Sequence, residues 1–260
     1  MELTYASYLK IDQLLDLQKG QSDPPEHDEM LFIVIHQVYE LWFKLILHEL
    51  DRINRDLSVG DLFAVIASFK RVRTVLKTLV GQLDILETMT PMSFKAFRDR
   101  LQTASGFQSE QFREMEFLLG YKRPDMLQFQ PPGSAARARL ERRLNEPSLI
   151  DHFYDFLATR GVAIPAALRN REITQPNVAD AAIQDALLEL YRRQPDVGIL
   201  LELMTDFDEG MQEWRYRHVK MVERTIGDQP GTGGSPGAAY LRKSLFMPLF
   251  PDLWAIRSRF

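Results

Sequence analysis

The sequence predicts an all-α fold: a single domain, residues 1–260, built as a bundle of long, nearly antiparallel helices. Three observations carry that expectation. Apolar residues recur at helical spacing through most of the chain. Glycine, proline and capping residues punctuate the pattern where helices would start and stop. Convincing strand-like alternation is absent, and 260 residues provide ample chain for a substantial core.

The N-terminal "MELTYASYLKIDQ" has neither a basic leader nor an apolar run of the signal-peptide kind. The first long helical pattern is "MLFIVIHQVYELWFKLILHEL", Met30 to Leu50. At about 100° per residue, Gln37, Glu40, Lys44 and His48 fall on one polar stripe, which makes His48 a surface residue. His36 falls outside the stripe, among Phe32, Tyr39, Phe43 and Leu47. The stretch is long enough to cross a bilayer, but its regular polar stripe suits a core-forming helix.

Gly60 is a stop and Asp61 a cap for the next helix, "DLFAVIASFKRVRTVLKTLVGQLDILETM". Thr90 and Pro91 have the N-cap and first-turn positions of "TPMSFKAFRDRL". Ser105 and Gln108 have capping-box spacing ahead of "SEQFREMEFLLG". The Pro- and Arg-rich "YKRPDMLQFQPPGSAARARLERRL" reads as short helices and surface connections. "PSLIDHFYDFLATRG" is helical with a stop at Gly161. A second long pattern runs from about Asn177 to Ile226, interrupted near Pro195. The loop "GDQPGTGGSPG", then "AAYLRKSLF" and a short tail complete the chain.

Composition narrows the function. Hydrophobic residues at 45% and charged residues at 26% are typical of a globular protein. A formal net charge of −4 gives no reason to expect nucleic acid or an anionic membrane as partner. With no cysteine, disulfides, thiolate nucleophiles, iron–sulfur clusters and thiolate-ligated haem or zinc are excluded, and a reducing cytoplasm is the expected compartment.

Two histidines stand on apolar helix faces. A residue like His36 is either a hydrogen-bonded core group or faces a buried site. His218, in "MQEWRYRHVKMVERTIG", shares its face with Phe207, Met211, Trp214, Met221, Val222 and Thr225. Arg215 and Arg217 flank that face. An imidazole on an apolar wall with cations at its margin suits haem, whose iron takes an axial nitrogen and whose propionates need positive charge. A satisfied core histidine is the commoner case for any one such residue. A di-iron bundle site would need Glu-x-x-His pairs, and no Glu stands three residues before any of the five histidines. A His-x-x-x-His zinc helix is missing too.

Phe94 and Arg98 lie one helical turn apart on one face, an arrangement able to grip a carboxylate while the ring packs on the rest of a small molecule. An exposed arginine lying over its neighbours has the same pattern. "PGTGGSPG" could cradle an anion with its amides or serve as a linker, and it lacks a P-loop ending.

Together, "HDEMLFIVIHQVYELWFK", "ETMTPMSFKAFRDRL", "SGFQSEQFR", "WRYRHVKMVERTIG" and "GTGGSPG" resemble, in order, the signature segments of the tryptophan 2,3-dioxygenase family. The resemblance runs from "LTYASYLKIDQLL" to "LFPDLW". It implies a cytoplasmic, all-helical homotetramer with one haem b per subunit and O₂ as co-substrate. The implied activity opens the indole ring of L-tryptophan to N-formylkynurenine, the first step of the kynurenine pathway, with no nucleic-acid or membrane partner. His218 matches the family's axial haem ligand and His36 its distal-pocket histidine near the indole N–H. Arg98 matches the carboxylate-binding residue and Thr232 the loop residue at the amino-acid end. Phe32 and Phe94 match pocket walls, and Ser105 a distal hydroxyl. Tyr5, Tyr8 and Leu9, within segment 1–20, match residues that reach a neighbouring subunit's pocket. Two departures stand out: Pro236 follows Ser235 where a second small polar residue is expected, which would stiffen the loop, and Phe94 occupies a position where some members carry Tyr.

His36 is the candidate catalytic residue, with limits. An indole N–H is roughly ten pKa units less acidic than imidazolium, about 14 kcal/mol uphill for full proton transfer. Positioning and hydrogen bonding are therefore the expected role. The competing readings are a helical haem sensor or carrier, and a related haem oxygenase acting on another indole. Neither needs the amino-acid clamp of Arg98 and Thr232.

Overall fold

Helix starts fall where the sequence offers an oxygen to the free N–H groups of a first turn. In the computed structural model, which describes residues 2–234 and 237–260, Thr4 caps α1 (Tyr5–Leu9), and α2 (Ile11–Leu15) follows directly. The long α3 (His27–Val59) ends at Gly60 in the left-handed conformation, φ 76°. Asp61 then caps α4 (Leu62–Leu86) through the N–H of Ala64. Thr90 and Pro91 open α5 (Pro91–Arg98) as the sequence predicts.

The Ser105–Gln108 box differs from expectation. It closes a short 3₁₀ turn at Gly106–Gln108, and Ser109 caps α6 (Glu110–Leu118) instead. The Pro- and Arg-rich segment forms a 3₁₀ stretch at Pro124–Phe129 and then α7 (Ala135–Asn145). It is more than a surface connection. Leu140 and Leu144, one turn apart, bury against Phe117 and Met126 in a small second core.

Next come α8 (Leu149–Thr159) and the short α9 (Ala166–Arg169). The long C-terminal pattern divides into α10 (Ala181–Arg193) and α11 (Pro195–Ile226). Proline at 195 disfavours helix at Gln194, whose ψ is 83°, and itself takes a first-turn position where no N–H is needed. α12 (Ala238–Leu241) and α13 (Pro251–Ala255) complete the chain. No strand occurs among the described residues. The expected stiffening at Ser235–Pro236 lies outside them.

Cross-helix bonds fix the directions of the long helices. Tyr39 donates to the Leu79 carbonyl at 2.6 Å and Arg71 pairs with Glu49 at 2.7 Å, so α3 and α4 are antiparallel, as their two-residue connection requires. Arg73–Asp206, Arg217–Asp84 and Arg224–Glu87 rise together in both numbers, so α4 and α11 run parallel. The long intervening chain permits that return. At their crossing, a Cβ on Gly210 would stand 3.1 Å from Leu76 Cδ2, so glycine sets the close approach.

By length and composition α3 could cross a membrane. In this fold its Ile46, Leu50 and Ile53 are fully covered by protein. Each such side chain contributes roughly 1.5–3 kcal/mol. The C-terminal tail is tied to α11 by the buried Asp208. Its carboxylate accepts from the N–H groups of Leu249 and Phe250 and from Trp254 Nε1, each at 2.9 Å.

Candidate functional site

α3 and α11 bring His36 and His218 to the walls of one internal space. Two adjoining chambers, about 260 and 450 Å³, share His36, Glu40, Phe107, Ser109, His218 and Met221 in their linings. The larger is in the range of small-molecule pockets.

His36 Nδ1 lies 2.7 Å from the Phe32 carbonyl. A carbonyl only accepts, so Nδ1 carries the proton and Nε2 keeps its lone pair for the cavity. The Phe32 ring packs on the imidazole at 4.0 Å between centroids. Burial lowers the His36 pKa, opposed in part by the Phe32 bond and by Glu40.

His218 stacks on Trp214 with centroids 5.1 Å apart and planes 7° from parallel. Burial lowers its pKa to about 4, helped by His36 when that imidazole is itself protonated and by the Arg113 guanidinium. Both imidazoles are therefore neutral near pH 7. Among the described residues no three His, Asp or Glu side chains converge as a metal site, so His218 presents a lone nitrogen donor.

Around it the smaller chamber is walled by Phe43, Leu83, Leu86, Phe112, Val219 and Met221. Its far end holds Arg113, Arg123 and Arg215 about the single carboxylate of Glu116, at 2.5, 2.7 and 3.7 Å. Glu116 stays ionised: burial opposes it, and the three guanidinium groups outweigh burial. Three cations against one anion leave excess positive charge, and Arg215 Nη2 is buried without a hydrogen-bond partner. One neutral imidazole, apolar walls and cations in excess at one end fit a flat, largely apolar group with one open axial position and peripheral carboxylates. Haem has those properties.

Arg217 does not belong to that end. It pairs with Asp84 of α4 at 2.5 Å and with Glu87, the residue that caps the end of α4, at 3.3 Å, away from the cavity lining. One residue before His218, it points across to the neighbouring helix.

Phe32, Phe94, Arg98, Ser105 and Thr232 all line the larger chamber with His36. The Phe32 and Phe94 rings lie 5.9 Å apart. Arg98 donates to Gln229 Oε1 and to the Pro230 carbonyl, and no carboxylate among the described residues pairs with it. Thr232 Oγ1 donates to the Ala104 carbonyl at 2.5 Å. This holds the loop against Ser105, where a Cβ on Gly233 would come 2.6 Å from Ser105 Cβ. Only glycine allows that approach. Tyr5, Tyr8 and Leu9 line neither chamber; they are exposed by 78, 69 and 43%.

Several site residues escaped the sequence reading. Arg113, Glu116 and Arg123 form the cationic end, and Glu40 accepts from Ser109 Oγ at 2.6 Å and Gln111 Nε2 at 2.8 Å. The three-residue spacing of Arg113 and Glu116 was the one visible signal.

All residues lining the two chambers fall within residues 1–132 and 170–260, the segments matched by the family model described as tryptophan 2,3-dioxygenase. Relatives bearing that name include a protein of Herpetosiphon aurantiacus, 59% identical over 98% of each chain. One from Anaeromyxobacter sp. is 52% identical over 98% of this chain and 95% of its own. Another, from Bacillus thuringiensis, is 43% identical over 99% of this chain and 92% of its own. Identity on that scale over nearly the full length, with the cavity wholly inside the matched segments, places this chain in the tryptophan 2,3-dioxygenase family.

Proposed function

We propose that this chain is a cytoplasmic, haem-dependent dioxygenase that opens the indole ring of L-tryptophan with O₂ to give N-formylkynurenine, the first step of the kynurenine pathway. The observation that carries the reading is a single cavity holding two neutral histidines, with Arg98, unpaired by any described carboxylate, on its wall. The 260 residues act as one domain.

His218 would hold haem b, one per subunit, with Arg113, Arg123 and Arg215 meeting its carboxylates. Bound haem supplies the ferrous centre that activates O₂. Everything else falls to the side chains. Phe32 and Phe94 wall the indole and keep water from it. His36 Nε2, with its lone pair free because Nδ1 is committed to Phe32, accepts the indole N–H and fixes the ring's orientation. Arg98 takes the carboxylate in a charge-assisted pair, and Thr232 meets the amino-acid end. Ser105 supplies a hydroxyl on the same side. Both oxygen atoms enter the product, so turnover needs no stoichiometric reductant.

Tyr5, Tyr8 and Leu9 are apolar or aromatic groups on a helix with no buried residue of its own. They would complete the pocket of a neighbouring subunit in a homotetramer. Nucleic acid and membranes have no part in this reading.

The deciding experiment is the absorption spectrum of the reduced protein under O₂, with and without L-tryptophan, followed to product. N-formylkynurenine forming only with both substrates supports the reading. A stable oxygenated spectrum without product would favour a carrier or sensor.

A further inference from the structure

Arg98 differs from the other arginines at the cavity. Arg113, Arg123 and Arg215 share the carboxylate of Glu116, whereas both acceptors of Arg98 are neutral: the Gln229 amide oxygen and the Pro230 carbonyl. A guanidinium has five N–H donors. With one on Nη1 and one on Nη2 engaged, three remain, enough for a carboxylate to bind through two. Neutral acceptors fix the plane of the fork without cancelling its charge.

The same contact ties the loop to the clamp. Gln229 and Pro230 lie three and four residues after Ile226, the end of α11, and just before Thr232. Thr232 is itself bound to Ala104, in the chain leaving α5. Two bonds from Arg98 and one from Thr232 therefore join the 229–232 segment to residues 98–104.

We propose that Gln229 is a positioning residue for substrate carboxylate binding: it orients the Arg98 fork and fastens the Thr232 loop while leaving the arginine charged. This rests on the reading that Arg98 takes the carboxylate of L-tryptophan. Two substitutions separate its elements. Gln229→Ala removes the acceptor. Gln229→Glu keeps the length but puts a carboxylate on Arg98, making an internal competitor for the substrate.

The test measures L-tryptophan and tryptamine dissociation constants and steady-state kinetics for haem-loaded wild type, Gln229→Ala and Gln229→Glu. KM and Kd for L-tryptophan should rise about tenfold in the alanine variant, from the loss of one hydrogen bond to a charged group. They should rise roughly fiftyfold in the glutamate variant, where a charge-assisted pair must be broken. In both, kcat should fall less than KM rises, and values for tryptamine should move less than twofold. L-tryptophan binding unchanged in Gln229→Glu, or equal losses for tryptamine, would overturn the proposal. Thermal melting adds an arm independent of substrate: Gln229→Glu should raise Tm with Arg98 present and not with Arg98→Ala. Equal shifts in both backgrounds would overturn the contact. If wild type itself fails to prefer L-tryptophan over tryptamine, the carboxylate-clamp reading has failed, and the melting arm alone then decides the contact.

Discussion

The Nδ1–H of His36 is spent on the carbonyl of Phe32, four residues earlier on the same helix, at 2.7 Å. That bond sets the tautomer, so the nitrogen facing the cavity is an acceptor and not a donor. In the proposed reading His36 acts by position, a role that a smaller residue would forfeit without dismantling the site. His36→Ala should retain bound haem and measurable turnover, with kcat/KM for L-tryptophan lowered by about tenfold, the worth of one hydrogen bond. Complete loss of turnover at full haem content would instead make His36 an obligatory proton acceptor.

In the proposed reading His218 would hold the haem, and its low pKa keeps the lone pair free for that. His218→Ala should abolish or severely weaken haem binding. Haem content and the ferrous spectrum check this. Full occupancy with an unchanged spectrum would sink the assignment.

The same burial has a consequence for stability. His218 titrates at about 4 in the folded chain and at roughly 6.5 when unfolded. Between those values the unfolded state binds more protons, so folding stability falls as pH drops from about 6.5 toward 4. The haem-free protein should lose about 2 kcal/mol from this group between pH 7 and pH 5. Urea unfolding of wild type and His218→Leu at both pH values measures it: the variant should lack that part of the slope, and identical slopes would contradict it.

Tyr5, Tyr8 and Leu9 stand in the open, on a helix with no buried residue. Deleting residues 1–9 should leave the assembly and its haem intact and raise the Kd for L-tryptophan about tenfold, the scale of one lost apolar contact. Sedimentation, haem content and binding, measured together, test the idea. A wild-type protein that is fully active as a monomer would contradict the shared pocket.

What the sequence made legible was whatever depends on a helix and its own axis. His36 and His218 could be placed on apolar faces because period alone fixes direction within α3 and α11. Gly60, Asp61, Thr90 and Pro91 act on their nearest neighbours, and they took their expected places. Arg217 failed for the complementary reason: a helical wheel gives a direction but not what lies there, and Asp84 on α4 does. The cluster about Glu116 left only the three-residue spacing of Arg113 and Glu116 in the sequence, because its arginines arrive from α6, from the chain after it and from α11. The partners of Asp208 come from the tail some forty residues further on, which no local pattern on α11 announces.

Arg98 separates recognition from chemistry. A guanidinium fork matches a carboxylate, and the indole offers it no comparable anion. No described carboxylate neutralises it, and it faces the chamber that His36, Phe32 and Phe94 share. Losing a largely desolvated charge pair of this kind should cost on the order of 2–5 kcal/mol in transition-state binding. Arg98→Ala should therefore lower kcat/KM for L-tryptophan severely. Tryptamine, which has no carboxylate, should show little further loss, because it never drew on the pair. Steady-state kinetics on both substrates, with haem content measured in parallel, gives the answer. Equal losses at full haem occupancy would assign Arg98 to the scaffold, holding the 229–232 loop against the end of α5 and contributing nothing specific to the amino-acid end.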